Sequence, residues 1–169
     1  MFHGSLVALV TPMKEGGFVD YEKLSHLIHF HLENQTNGLV VMGSTGESAT
    51  LTDKEVEHII EFTLKEVNNK IPVIAGTGTN CTEKTIQKTK MAMELGVDAC
   101  LVVAPYYNKP TQHGLFLHFE SIAKEVPVPI IVYNIPGRCM VDILPETMLK
   151  LANIPNIIGL KESSEHLIE

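Results

Sequence analysis

Short apolar runs recur along the chain and predict the strands of a parallel β-sheet. Each run is continuous rather than alternating, which is typical of strands that are covered on both faces. Their starts lie 27 to 34 residues apart, which leaves room for one helix between neighbouring strands. The runs are Leu6–Val10, Leu39–Met42, Val73–Ala75, Cys100–Val103, Ile130–Val132 and Ile157–Leu160.

Helical patterns fill the intervals between these runs. Apolar residues spaced three and four positions apart form stripes within residues 24–32, 56–67 and 115–126. Thr52 and Glu55 form a capping-box signature just before the second stripe. Pro145 occupies the position expected of the first residue of a later helix. The chain is therefore predicted to alternate strand and helix, which is the α/β class.

Two architectures fit this order, an open doubly wound sheet and a (β/α)₈ TIM barrel. Glycine, hydroxyl and ionisable residues follow every strand from the second to the sixth. A barrel mouth shows this distribution, whereas an open sheet concentrates such residues near one switch point. We therefore predict a single domain over residues 1–169 that forms the N-terminal part of a TIM barrel, with strands 1–6. A complete barrel needs about 250 residues, so strands 7 and 8 and the C-terminal helical region are expected to be absent, which would leave open sheet edges.

Composition excludes several classes of function. The net charge of −7, with no basic stripe, argues against binding to nucleic acid. No transmembrane stretch and no signal peptide are recognisable, so no membrane association is expected. The cysteines Cys81, Cys100 and Cys139 show no CxxC pairing, which predicts reduced thiols in a cytoplasmic protein. No metal site is predicted, because no carboxylate or cysteine completes a ligand set with the histidines of residues 26–31.

Lys161 is the first candidate for chemistry. It follows the apolar run Ile157–Leu160, at the expected mouth of a buried strand. An amine that loses water there is favoured in its neutral form, and a neutral amine can form an imine with a carbonyl substrate. On position alone a solvated lysine is favoured over a catalytic one, because strands often end in a solvated lysine.

Two glycine-rich loops follow the second and third strands. Glycines and hydroxyls in Gly43–Glu47 could turn backbone N–H groups toward a carboxylate or phosphate, although a plain tight turn fits equally well. The segment Gly76–Asn80 imitates the start of a dinucleotide fingerprint, but Cys81 stands where the third glycine would be. Nucleotide binding is therefore not favoured.

Tyrosines and an arginine lie at the later strand ends. Tyr106, Tyr107 and Tyr133 are three of only four tyrosines in the chain. A tyrosine near a desolvated cation could shuttle protons, but each of the three could also be an amphipathic core residue. Arg138 could bind a substrate carboxylate through two parallel hydrogen bonds, or could lie on the surface.

These motifs together resemble the dihydrodipicolinate synthase family of pyruvate-dependent, Schiff-base-forming aldolases. The resemblance is carried by Gly43–Glu47, Pro105–Tyr107, Tyr133–Arg138 and Lys161–Glu162, and it extends from residue 2 to about residue 164. The related N-acetylneuraminate lyase branch resembles the chain in the glycine loop, Tyr133 and Lys161. Arg138 points to the synthase branch.

The resemblance implies a (β/α)₈ barrel in a homotetramer, built as a dimer of dimers. It implies condensation of pyruvate with L-aspartate 4-semialdehyde to 4-hydroxy-tetrahydrodipicolinate, in lysine and diaminopimelate biosynthesis, with no cofactor. A sugar-acid aldolase activity and a catalytically incompetent fragment remain as alternatives.

The resemblance also implies a role for each site residue. Lys161 would form the imine with pyruvate, whose carboxylate would be held by Thr45 and the N–H groups of the Ser44–Thr45 turn. Tyr133 would be the general acid and base. Protons would be relayed from Tyr133 through the Ser44 hydroxyl to Tyr107, which in the family crosses from a neighbouring subunit. Ser44 departs from the threonine that is usual there, and its hydroxyl rotates more freely. Arg138 would bind the carboxylate of the semialdehyde.

The lysine-feedback site of inhibited family members is matched only in part. Asp53, Val56 and Lys84 stand where those members carry His, His and Glu. Because Lys84 would repel an ammonium group, the resemblance implies weak or absent inhibition by lysine. The matching positions are Ser48, Ala49, Asn80 and Tyr106.

Overall fold

The structure is a computed structural model that describes residues 2–164. Within these residues the chain forms two compact units, one with the residues up to 76 together with 94–98, the other with 77–93 together with 99 onward. The strands are β1 (Leu6–Ala8), β2 (Gly38–Val41), β3 (Val73–Gly76), β4 (Ala99–Val103), β5 (Ile130–Asn134) and β6 (Ile157–Glu162). The helices are α1 (Tyr21–Glu33), α2 (Asp53–Val67), α3 (Thr82–Leu95), α4 (Gln112–Glu125), the single turn α5 (Pro136–Cys139) and α6 (Pro145–Leu151).

The order of these elements confirms the predicted α/β class. Every predicted apolar run overlaps one of the six strands. Pro145 is the first residue of α6, as predicted. Arg138 lies in the single turn α5, because Pro136 with its fixed φ starts a helical turn there.

The first unit contains the parallel strands β1, β2 and β3. β2 lies in the middle of the three, paired with β1 from Leu6↔Gly38 and with β3 from Leu39↔Val73. All four of its residues are buried, as the continuous apolar run predicts. The three residues of β1 are only half-buried, since β1 pairs with β2 alone among the described strands.

Local signals in the first unit behave as the sequence predicts. The backbone N–H of Thr52 donates to Glu55 Oε2 at 2.8 Å, and the N–H of Glu55 donates back to Thr52 Oγ1 at 3.3 Å. The capping box at the start of α2 is therefore confirmed. Hydrogen bonds from the Thr52 backbone N–H and from its hydroxyl hold the pKa of Glu55 below its usual range.

A close approach of two strand ends requires glycine at position 76. A Cβ on Gly76 would clash with the carbonyl oxygen of Met42. Met42, expected in the second strand, lies just beyond it in the left-handed region at φ 58°. The chain thus turns sharply out of β2 into the loop that carries Gly43–Glu47.

The second unit contains the parallel strands β4, β5 and β6. β5 is central, paired with β4 from Cys100↔Ile130 and with β6 from Ile130↔Ile157. β4 and β5 are largely buried, but in β6 only Ile157 is buried, and Ile158 and Leu160 are 46% and 41% exposed. The prediction that the sixth run is covered on both faces is therefore wrong for the described residues, in which β6 pairs only with β5.

Candidate active site

Lys161 and Tyr133 occupy paired positions on the neighbouring strands β6 and β5. Lys161 Nζ lies 4.3 Å from the centroid of the Tyr133 ring. A cation over an aromatic ring at this distance is attracted to the face of the ring. Tyr133 is buried, with 6% of its surface exposed, whereas Lys161 is half-buried. The strand also continues one residue past Lys161 to Glu162, so the lysine lies inside the strand rather than at its end.

An irregularity in the β5–β6 pairing sets the face on which Lys161 lies. Ile130 pairs with Ile157, but the next residue, Ile131, pairs with Gly159. Ile158 is therefore passed over in the register, and β6 carries one extra residue at this point, as a β-bulge does. Side chains alternate between faces along a strand, so without the extra residue Lys161 would oppose the residue after Tyr133 and point to the other face.

Asn134, which follows Tyr133, and Glu162, which follows Lys161, belong to one hydrogen-bond network. Asn134, 1% exposed, donates through Nδ2 to Glu162 Oε2 at 2.9 Å and to Asp142 Oδ1 at 2.7 Å. Its Oδ1 accepts from the backbone N–H of Ile143 at 3.1 Å, and its carbonyl accepts from the N–H of Ser163 at 2.9 Å. No local pattern in the sequence indicates this network, because its two carboxylates lie 8 and 28 residues from Asn134.

The hydrogen bonds of this network also act on the Glu162 carboxyl group. Partial burial opposes its ionisation, but hydrogen bonds from Asn134 and from the backbone of Ser164 and Ser163 outweigh burial. The pKa of Glu162 is therefore held below its usual range. A charged carboxylate is thus maintained next to Asn134.

Arg138 lies exposed on α5, four residues after the end of β5 at Asn134. Its backbone N–H donates to Ile135 O at 3.0 Å, and the next residue, Cys139, is buried. Over residues 2–164 its guanidinium makes no hydrogen bond or ion pair. The side chain is therefore available to an anion in two parallel hydrogen bonds.

The loop Gly43–Glu47 of the first unit consists of two successive turns. The N–H of Gly46 donates to Gly43 O and the N–H of Glu47 donates to Ser44 O, both at 3.1 Å. The buried Thr11 hydroxyl donates to Gly46 O at 2.7 Å and anchors the loop. Ser44 and Thr45 are exposed, and their N–H groups have no partner in the described part of the chain. The loop is thus a tight turn that also presents free donors, so both interpretations of the sequence remain compatible with it.

The two tyrosines after β4 lie on the surface of the second unit. Tyr106 is 40% exposed and Tyr107 is 86% exposed, so the expectation of a core tyrosine is wrong for Tyr107. Tyr107 also has a left-handed backbone at φ 72°, which is rare for a bulky residue. Asn108 Nδ2 donates to Asn80 O at 2.6 Å and ties this loop to the end of the Gly76–Asn80 segment.

The remaining positions of the predicted effector site have varied environments. Lys84 is exposed on α3, and Val56 is buried on α2 with 3% of its surface accessible. Ser48 and Ala49 lie in a 3₁₀ turn before α2, and Asp53 is the first residue of α2. Asn80 is hydrogen-bonded to Asn108, which follows Tyr106 and Tyr107 in the chain. The effector site as a whole stays a prediction.

Two further properties concern metals and membranes. Within residues 2–164, no three histidine, cysteine, aspartate or glutamate side chains come together in a group that could hold a metal ion. Every helix in the same range is too short or too polar to cross a membrane.

Known proteins resemble the chain over nearly its whole length. The 4-hydroxy-tetrahydrodipicolinate synthase of Coxiella burnetii is 56% identical over 164 residues, which are 97% of this chain and 57% of that protein. The crystal structure of dihydrodipicolinate synthase from Aquifex aeolicus is 54% identical with a TM-score of 0.94, covering 98% of this chain and 56% of that one. The chloride-inhibited dihydrodipicolinate synthase from Acinetobacter baumannii, complexed with pyruvate, is 48% identical with a TM-score of 0.95, covering 95% and 55%.

These comparisons confirm the predicted fold class, six strands of a (β/α)₈-barrel fold. The chain spans about half the length of the relatives that it matches. The model of the dihydrodipicolinate synthetase family matches residues 1–169. The chain therefore belongs to the dihydrodipicolinate synthetase family.

Proposed function

We propose that the protein condenses pyruvate with L-aspartate 4-semialdehyde, through a Schiff base on Lys161, to give 4-hydroxy-tetrahydrodipicolinate. The observation that carries the proposal is the pairing of a primary amine with a buried phenol, Lys161 Nζ at 4.3 Å from the Tyr133 ring centroid. The name shared by the similar proteins supports the same reaction. The product would enter lysine and diaminopimelate biosynthesis.

The chemistry begins with attack of the Lys161 amine on the ketone carbon of pyruvate. Loss of water gives the imine, and its nitrogen then accepts electrons as the pyruvate methyl group loses a proton. The resulting enamine attacks the aldehyde carbon of the second substrate, and the aldehyde oxygen takes up a proton to become the hydroxyl group. The amino group of the same substrate then attacks the imine carbon, which closes the ring and releases Lys161 as a free amine. Tyr133, whose ring lies beside the amine, would donate and accept the protons of these steps.

Binding roles are assigned to the groups that have free donors. Thr45, with the unpartnered N–H groups of the Ser44–Thr45 turn, would hold the pyruvate carboxylate. Arg138 would hold the carboxylate of the semialdehyde, since its guanidinium is exposed and unpaired in the described residues. The relay from Tyr133 through Ser44 to Tyr107 remains a prediction from the family.

The assembly is proposed to be a homotetramer, a dimer of dimers, in the cytoplasm. The supporting observation is Tyr107, which is 86% exposed in a strained backbone conformation, as expected of a side chain that acts in a neighbouring subunit. Sedimentation of the intact protein measures the assembly. A Tyr107→Phe variant that keeps both its assembly and its full turnover would contradict the predicted role of the hydroxyl.

Borohydride trapping tests the proposed mechanism. The intact protein is incubated with pyruvate, reduced and digested, and the modified peptide is located by mass spectrometry. We expect the adduct on Lys161, no adduct in Lys161→Arg, and turnover lowered about 10²- to 10⁴-fold in Tyr133→Phe, which keeps the ring and loses the proton. An adduct on another lysine, or none, overturns the proposal.

Arg138 separates this reaction from that of the N-acetylneuraminate lyase branch. Turnover is measured with aspartate semialdehyde and with N-acetylneuraminate. Because Arg138 is assigned to the semialdehyde carboxylate, Arg138→Ala should lower turnover of aspartate semialdehyde far more than imine formation with pyruvate. Preferred turnover of the sugar acid by the unmodified protein would contradict the synthase assignment.

Inhibition by lysine is proposed to be weak or absent. Lys84 is exposed on α3 and places a positive charge where inhibited members carry a carboxylate. Lys84→Glu should therefore increase inhibition, and turnover at millimolar lysine measures it. Near-complete inhibition of the unmodified protein would contradict this expectation.

A further inference from the structure

We propose that Asn134 is a positioning residue for Lys161. In this view Asn134, together with Glu162 and Asp142, holds β6 in the bulged pairing that places the Lys161 amine over the Tyr133 ring. The inference rests on the proposed function, because it concerns the geometry of the proposed Schiff-base lysine.

The bulge makes the position of Lys161 depend on register. Ile158 is the extra residue of β6, and pairing without it would shift every later residue of β6 by one position relative to β5. Lys161 would then face Asn134 instead of Tyr133. Bulges next to active sites re-aim side chains in this way, and they need contacts that stabilise one pairing over the other.

Apolar packing does little to select the pairing at this end of β6. The only buried residue of β6 is Ile157, which precedes the bulge. After the bulge, Leu160 is 41% exposed, so shifting it to the other face costs little burial. The contacts beyond the bulge must therefore come from polar groups.

Asn134 supplies these polar contacts at the position immediately after Tyr133. It pairs with Glu162 in the β5–β6 ladder, donates to the Glu162 carboxylate at 2.9 Å, and accepts from Ser163 N–H at 2.9 Å. A one-residue shift would bring Lys161 to this position and remove the bond to Glu162. The hydrogen bond from the buried Asn134 amide to Glu162 therefore stabilises only the bulged pairing.

The polarity of the network is also specific. Both protons of the Asn134 amide nitrogen are used, one on Glu162 and one on Asp142, so the amide lies between two carboxyl groups. An aspartate at position 134 would place a third carboxyl group against them, and like charges in a buried position repel strongly. Reversing all three partners would restore complementary donors and acceptors.

Glu162 gives the first test, because it is exposed and its replacement should not prevent folding. The rate of imine formation is measured in the intact protein by quenching with borohydride at increasing times after pyruvate is added. We expect Glu162→Ala to slow labelling of Lys161 about 100-fold, the cost typical of misplacing a reacting group by about 1 Å. Glu162→Gln keeps one oxygen that can accept from Asn134 and should recover part of the rate.

Asn134 gives the second test through reversal of the network. Asn134→Asp alone should slow labelling at least as much as Glu162→Ala. The triple variant Asn134→Asp, Asp142→Asn and Glu162→Gln should label Lys161 at least about tenfold faster than Asn134→Asp alone, since each donor again meets an acceptor. Labelling is measured at a temperature at which all variants are folded, so recovery of the rate reports the position of Lys161 rather than a change in stability.

Asn156 provides the matched control at the opposite end of β6. Its Nδ2 donates to Ala123 O at 3.0 Å and to Val126 O at 3.1 Å, just before the strand begins. Asn156→Ala should lower the melting temperature and leave the labelling rate of Lys161 unchanged. If the unmodified protein is labelled and both Glu162→Ala and Asn134→Asp are labelled at the full rate, this inference alone is overturned. An unlabelled unmodified protein overturns the proposed function and the inference with it.

Discussion

His118 is expected to make the stability of the fold depend on pH. The side chain lies on α4 and is 6% exposed. Its Nδ1 lies 2.9 Å from Thr82 Oγ1, whereas its Nε2 is buried and has no hydrogen-bond partner in the described part of the chain. A charge on this ring would lose its hydration without gaining a partner, so burial lowers the pKa of His118 from 6.5 to about 4.

The direction of the effect follows from proton binding in the two states. Between pH 6.5 and about 4 the unfolded chain binds a proton at His118 and the folded chain does not. The free energy of unfolding therefore falls as the pH drops through this window and stops falling below it. At 1.36 kcal/mol per pKa unit, the full loss is about 3 kcal/mol, a large share of the stability of an ordinary domain.

Urea unfolding at a series of pH values measures this loss. His118→Asn cannot titrate and retains a group that can hydrogen-bond Thr82, so its free energy of unfolding should fall less between pH 6.5 and 4 than that of the unmodified protein. His26→Asn, at an exposed position of α1, should follow the unmodified protein. Carboxyl groups titrate equally in all three proteins and cancel in the comparison. Parallel pH profiles for the unmodified protein and His118→Asn would refute the reasoning.

Three further predictions concern the fold. Gly76→Ala should lower the free energy of unfolding by about 1–3 kcal/mol, because its Cβ would meet a backbone carbonyl, whereas Gly159→Ala, with open space at its Cβ, should change it by less; equal effects in denaturant titrations would contradict the clash. Thr52→Ala should cost about 1 kcal/mol through loss of the α2 cap and Thr52→Ser should not, again by denaturant unfolding, and equal losses in the two variants would argue against capping. Burial raises the pKa of Cys100 to about 12, so iodoacetamide at neutral pH should label the partly exposed Cys81 and spare Cys100 in the folded protein; mass spectrometry that finds Cys100 labelled would contradict its burial.

The strands and the starts of α2 and α6 were predictable because they depend on neighbouring residues. Continuous apolar runs located all six strands to within a few positions. The capping box of Thr52 and the helix start at Pro145 were also correct, since both act within one turn of the chain. The covered face predicted for β6 was wrong, because burial depends on which other elements pack against a strand.

The site could be predicted only as a set of residue types at strand ends. Lys161 and Tyr133 were identified as an amine and a phenol that belong together, although that assignment came from the family resemblance. The Asn134 network was not predicted, because an asparagine at a strand end has no local signal that reveals carboxylates 8 and 28 residues away.

The sequence by itself determined the order of strands and helices, the caps and the chemical groups available at the strand ends. These depend on side-chain type and on spacings of a few residues, which are local properties of the chain and do not require tertiary contacts. Only the tertiary structure decided that Ile158 forms a bulge, and therefore that Lys161 faces Tyr133 rather than Asn134. Register is a property of two strands whose pairing is chosen by non-local contacts, and a shift of one residue reverses the face of every side chain that follows.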